Sequence, residues 1–157
     1  RNILYKKRRD HEDLDSAGGV GCYLSHYTVW TKIIAQNEEH GLVFEDDALI
    51  PLGFVQKLEA AFLEYQALED NTRPDVWTLS VPFNRTMMDA VNNTVAFNFG
   101  DWNYTVNAPN TANIYTKKAA KILVENAFPI DGHVDFFMFR CAQLGFIVYA
   151  PVASCSS

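Results

Sequence analysis

No apolar stretch in this sequence reaches the ~20 residues needed to span a bilayer, and none reads as a signal peptide. No membrane-spanning helix is therefore expected within it. Cysteine is scarce: Cys22, Cys141 and Cys155 cannot all pair with one another, and their spacing matches no structural zinc motif. That excludes a fold stapled by disulfides and leaves the redox compartment open. Glycine-rich phosphate cradles of the P-loop or dinucleotide type are missing. Positive charge is in deficit, with 13 Lys and Arg against 19 Asp and Glu and a net charge of −6. The single basic run, Lys6-Lys7-Arg8-Arg9, is followed at once by Asp10, Glu12, Asp13 and Asp15. Such a segment reads as a solvated surface, and no nucleic-acid partner is expected because phosphate backbones call for clustered cations.

What is present is a core. The chain has 157 residues, 48% of them hydrophobic, with eleven Phe, seven Tyr and three Trp. Disorder is excluded over most of the length, and one domain over residues 1–157 is expected, its core at about 21–151. The polar start closes in Ala17-Gly18-Gly19 and reads as a connection. From Gly21, the residues Cys22, His26, Val29, Trp30, Ile33 and Ile34 recur at helical spacing, and His40-Gly41 is expected to end that helix. Cys22 and Cys141 fall in apolar helical patterns, so both are expected to be buried. Leu42-Val43-Phe44 reads as a short strand, and Pro51 as the start of a helix with Phe54, Leu58, Phe62 and Tyr65 on one face. Val76–Val81 reads as a second strand. The Asn-rich region 82–113 reads as loops with short strands near Val95–Phe99 and Asn113–Tyr115. Thr116 is placed to cap a helix through Asn126, with Ala119, Ala120, Leu123 and Val124 facing inward. Asp131 precedes a further helix, Gly145 breaks it, and Phe146–Tyr149 forms a last strand. This alternation of helix and strand predicts an α/β sandwich on a largely parallel sheet.

The most informative segment is Glu45-Asp46-Asp47, three adjacent carboxylates at the carboxyl end of a strand. They repel one another unless solvent or a cation intervenes. Ligands of open α/β sheets lie beyond strand carboxyl ends. Strand alternation puts Glu45 and Asp47 on one side, as metal ligands, and Asp46 on the other. Hard oxygen donors suit Mn²⁺ or Mg²⁺, and such an ion bridges protein to a diphosphate. An acidic turn capping the next helix explains the same residues without a metal.

The ordered set Gly21-Cys22-Tyr23-Leu24-Ser25-His26, Trp30 and Leu42-Val43-Phe44-Glu45-Asp46-Asp47-Ala48 resembles the hallmark region of glycosyltransferase family 25. The likeness continues through Asn113-Ile114-Tyr115, Ala119–Leu123, Pro129-Ile130-Asp131 and Val134-Asp135, so that it runs from about Gly21 to Pro151. That family includes bacterial lipooligosaccharide galactosyltransferases and collagen hydroxylysine galactosyltransferases. The resemblance implies a GT-A-like, nucleotide-sugar-binding α/β fold with a mostly parallel central sheet. It further implies a UDP-galactose donor, Mn²⁺ or Mg²⁺, and inverting transfer to a carbohydrate or hydroxylated peptide. Members begin with an apolar strand and an arginine-bearing loop. This chain opens with Arg1-Asn2-Ile3-Leu4, so the fold is expected to be incomplete at its N-terminus.

In that setting Ser25 and His26 line the donor site, although His26 is equally well read as a core histidine. Asp46 contacts the donor ribose or sugar. Asp135, set among Val134, Phe136 and Phe137, is the candidate general base toward the acceptor hydroxyl, with acceptor orientation as the alternative. Asp131 reads as a helix N-cap, His133 as solvent-facing or as part of the metal shell, and Trp30 as core. Ser25 and His26 do not form a hydrolytic pair, because successive helix residues point about 100° apart. Three glycosylation sequons, at Asn84, Asn92 and Asn103, agree with a secretory, ER or Golgi setting in a eukaryote; a bacterial protein would instead sit at the cytoplasmic membrane. Asn107, Asn110 and Asn113 are candidates for sugar hydrogen bonds. Two other classes compete: a non-catalytic carbohydrate-binding or chaperone-like relative, and a two-metal phosphodiesterase.

Overall fold

Every third or fourth residue of the first helix, α1 (Ala17–Ala35), is buried: Tyr23, His26, Trp30 and Ile33 form its inner stripe. The computed structural model describes residues 17–46, 48, 50, 52–79, 94–96, 98–99, 102–103, 112–141, 144–145 and 148–150. α1 starts earlier than the periodicity from Gly21 indicates, and it stops at Ala35 rather than at His40-Gly41. The Gln36 side chain donates to the His40 carbonyl at 2.8 Å and bridges the bend that follows. His40 already opens the first strand, β1 (His40–Phe44). Gly41 lies directly beneath Ile33 of α1, where a Cβ would overlap the Ile33 side chain.

The remaining elements are α2 (Phe54–Ala67), β2 (Val76–Thr78), β3 (Thr94–Ala96), β4 (Asn98–Phe99), β5 (Trp102–Asn103), β6 (Ala112–Thr116), α3 (Lys117–Asn126), α4 (Val134–Cys141) and β7 (Val148–Ala150). α2 begins after Gly53, whose φ of 78° lies in the left-handed region, three residues later than the Pro51 signal indicates. At α3 the expectation holds: the Thr116 hydroxyl accepts from the Ala119 amide at 3.2 Å, and Ala119, Ala120 and Leu123 are buried. Most of the loop region, with the sequon residues Asn84, Arg85, Thr86, Asn92, Asn93, Tyr104 and Thr105, lies outside the described residues, as do Asn107, Asn110 and Cys155.

The expectation of a GT-A-like, mostly parallel sandwich is not met. The sheet is open, in the order β1-β6-β2-β7-β3, and its organising unit is the antiparallel trio β1-β6-β2. β7 extends it by parallel pairing with β2, and β3 by parallel pairing with β7. The alternation of helix and strand along the chain suggests that successive strands are parallel neighbours. Here β6, which arrives from beyond the loop region, inserts between β1 and β2 and runs opposite to both. That insertion is a non-local event, which helical and strand periodicities do not encode.

Side chains alternate across the sheet as a pleated strand requires. Val76 of β2 and Tyr115 of β6 join Tyr23, Trp30, Leu123, Phe137 and Met138 in the main core beneath α1, α3 and α4. Their neighbours Trp77 and Ile114 face the other way, toward Tyr65, Leu58 and Phe62 of α2. Trp30 is fully buried and meets Tyr115 edge-on at 6.2 Å, as expected of a core residue. At the amino end of β2, Asp75 ties the layers together: it accepts from the Thr116 hydroxyl at 3.2 Å and pairs with Lys118 at 2.8 Å.

Candidate metal centre

The His26 ring sits at the margin of the main core, 5.9 Å from that of Trp30, and is 5% exposed. Its Nε2 lies 3.1 Å from Oε1 of Glu45, the first residue after β1, whose side chain is 30% exposed. Cys22 stands one helical turn before His26, and spacing of four residues puts both side chains on one side of α1. The Cys22 sulfur, a His26 ring nitrogen and a Glu45 carboxylate oxygen all lie within 4.8 Å of one another. This cluster joins a helix to the carboxyl end of an edge strand, the end where an open sheet takes ligands.

Cys22 is exposed, against the expectation of burial, whereas Cys141 is buried as expected. The inner stripe of α1 runs through Tyr23, one residue further round, and this turns Cys22 toward Glu45. Partial burial, then the Glu45 and Asp135 carboxylates, push the Cys22 thiol above its ordinary value. Burial foremost raises the Tyr115 phenol as well, and the same two carboxylates add to it. Asp135, in the first turn of α4, thus acts electrostatically on the same neighbourhood as Glu45, although 90 residues of sequence separate them.

The other candidates are placed as follows. Ser25 is exposed, and its hydroxyl donates to the Gly21 carbonyl at 3.0 Å. Asp46 is exposed in a turn closed by the Ala48 amide on the Glu45 carbonyl, at 3.2 Å. β1 ends at Phe44, so strand alternation does not extend over the acidic triplet, and Asp47 lies outside the described residues. Asp131 precedes α4, which begins at Val134, and its carboxylate pairs with Arg140 at 2.5 Å. His133 is half-buried just before α4, and its carbonyl accepts from the Phe137 amide at 3.0 Å. Asn113 is fully buried within β6. Cys22 was missed as a candidate ligand, although its spacing of four residues from His26 was legible.

A cavity of about 360 Å³ lies at the opposite end of β2, lined by Tyr65, Arg73, Asp75 and Lys118 among others. Its cations already have partners, Arg73 with Asp70 and Lys118 with Asp75. It therefore offers no uncompensated positive charge to a diphosphate.

Chemically, the cluster mixes oxygen, nitrogen and sulfur donors. Mn²⁺ and Mg²⁺ prefer oxygen. The Glu45 and Asp46 carboxylates fit that preference, while the imidazole and thiol beside Glu45 do not.

A 36% identical stretch of 69 residues, 44% of this chain, aligns with a "Glycosyltransferase 25 family member" of Aedes aegypti, and it covers 10% of that protein. The human "Inactive glycosyltransferase 25 family member 3" is 40% identical over 50 residues, 32% of this chain and 8% of its own length. Human "Procollagen galactosyltransferase 2" is 46% identical over 41 residues, 26% of this chain and 6% of its own. The chain thus matches a tenth or less of the length of these relatives. No solved structure matches it. The sequence model of glycosyltransferase family 25 (LPS biosynthesis protein) matches residues 2–138, which takes in α1, the acidic turn and most of α4, and the chain belongs to that family.

Proposed function

We propose that this chain carries catalytic residues of a metal-dependent glycosyltransferase that moves galactose, or glucose, from a UDP-sugar to a carbohydrate or hydroxylated peptide, with inversion. The observation that carries the reading is the match to the family 25 model over residues 2–138, which takes in the Glu45 carboxylate just beyond β1, 3.1 Å from His26. In this reading the acceptor hydroxyl attacks the anomeric carbon, forming the new C–O bond. The bond from that carbon to the diphosphate oxygen breaks, and UDP leaves with the electron pair. Asp135 takes the hydroxyl proton, directly or through one water. Ser25, His26 and Asp46 orient the donor. Glu45 and Asp47 hold a divalent ion, Mn²⁺ or Mg²⁺, which when bound offsets the charge of the diphosphate. By this reading a eukaryotic protein works in the ER or Golgi.

UDP release in the presence of Mn²⁺, measured over a panel of UDP-sugars and acceptors, tests it. Release with a galactose or glucose donor is expected. Absence of release, together with absence of UDP binding, overturns it.

The human relative named as inactive motivates a second reading, a carbohydrate-binding member without transfer. An oligosaccharide bound with no UDP affinity would favour that reading over the enzyme.

A further inference from the structure

Cys22 and His26 on one helix and Glu45 at a strand end bring a sulfur, a ring nitrogen and a carboxylate oxygen within 4.8 Å of one another. Ligands held in a tetrahedron at bond lengths of about 2.0–2.3 Å lie roughly 3.3–3.6 Å apart. The edge from His26 Nε2 to Glu45 Oε1, at 3.1 Å, is already close to that spacing. Cys22 is exposed, so rotation about its χ1 can bring the sulfur in without displacing core atoms. The second ring nitrogen of His26, Nδ1, is buried and has no hydrogen-bond partner among the described residues. In the metal-free chain Nε2 donates to the Glu45 carboxylate, so an ion bound at Nε2 takes the place of that proton and leaves the ring proton on Nδ1.

A histidine–glutamate pair alone would account for two of the three groups. The thiol, at helical spacing from the imidazole and beside the carboxylate, is the third. Sulfur and imidazole nitrogen select borderline or soft ions, whereas an ion bound by carboxylates alone is hard. We propose that Cys22, His26 and Glu45 form a zinc-class site, with three protein ligands and a fourth position open to water or a ligand oxygen. It goes beyond the glycosyltransferase reading and does not depend on transfer. It shares only Glu45 with the hard-ion pair of that reading.

The whole chain, reduced and stripped of metal, is titrated with Co²⁺, which reports tetrahedral thiolate coordination by a near-ultraviolet charge-transfer band and intense visible bands. Zn²⁺ is expected to displace the Co²⁺ and erase these bands. Cys22→Ser, at an exposed position where folding is undisturbed, is expected to abolish the charge-transfer band. The same variant is expected to lower Zn²⁺ affinity by about 10-fold or more, with Mn²⁺ affinity unchanged. Cys155→Ser is expected to keep the band. A band that survives Cys22→Ser, Zn²⁺ affinity unaffected by it, or no band in the parent chain overturns the site. UDP release by a chain lacking the band would sink the zinc site alone, and a band without UDP binding would sink the transferase reading alone.

Discussion

Nε2 of His26 and Oε1 of Glu45 meet at 3.1 Å, although 19 residues separate them and they belong to a helix and to the end of a strand. The histidine is sealed into the core margin while the glutamate keeps about a third of its surface in solvent. A buried, orienting group behind a partly wet, negatively charged one is an arrangement suited to receiving a cation or a polar substrate from outside.

Replacing either acid of the proposed hard-ion pair is expected to remove turnover. Asp47→Asn and Glu45→Gln each delete a ligand charge and nearly keep volume. A steep fall in UDP release is expected, with little change in the thermal midpoint, because an ion pair with a partly exposed member contributes about 1 kcal/mol or less. Undiminished turnover and Mn²⁺ dependence in D47N would remove Asp47 from the reading.

For Asp135 the kinetics separate three roles. Asp135→Asn keeps size and hydrogen bonding but not basicity. A general base predicts a chemical rate lower by about 10²-fold or more with UDP affinity unchanged. A rise in the acceptor KM at intact kcat would assign it to acceptor orientation. A shift in melting alone would assign it to structure.

Stability should follow pH through His40. Burial foremost lowers its pKa from the ordinary 6.5, with Glu39 and Asp75 partly offsetting the effect, and Nε2 lies 3.1 Å from the Tyr65 hydroxyl. The unfolded chain therefore takes up the proton before the folded one does. The His40 contribution is complete above pH 6.5, is lost as pH falls from there toward the lower folded value, and changes no further below it. Thermal melts across that window should show the parent losing more stability than His40→Gln on acidification. Equal losses would remove His40 as the cause.

Core and cap can be weighed against each other. Leu123 has no exposed surface, so Leu123→Ala is expected to cost about 2–5 kcal/mol by denaturant titration. Thr116→Ala removes the α3 cap and a hydrogen bond to Asp75 and is expected to cost about 0.5–2 kcal/mol. Leu63, 68% exposed on α2, should tolerate alanine within about 0.5 kcal/mol.

What the sequence made legible was local. Thr116 and the apolar face behind it announced α3, because a cap and a helical period act over a few residues. Leu42-Val43-Phe44 announced β1 for the same reason. The place of β6 between β1 and β2 was not legible, since it depends on partners far apart in the chain. Strand alternation does not extend to Glu45 and Asp47, because β1 ends at Phe44, and Asp47 lies outside the described residues. One error comes from carrying a helical period one position too far. Cys22 was counted into the inner stripe of α1, yet Tyr23 occupies it. Asp131 reads from the sequence as a cap, and its pairing with Arg140, nine residues on, is a contact that no local pattern announces.

Gly41 brings no functional group to the molecule, and its lack of one sets a dimension. With only hydrogen where a Cβ would strike Ile33, α1 rests on β1 at a separation that other residues would not permit. His26 lies two turns before Ile33 on the helix, and Glu45 lies four residues beyond Gly41, just past the end of the strand. Helix and strand behave as the two jaws of a caliper closed onto this glycine. A methyl group inserted there would overlap Cγ1 and Cδ1 of Ile33, so that either this buried side chain turns or the jaws part. If the jaws part, the imidazole and the carboxylate remain intact while the 3.1 Å gap between them opens.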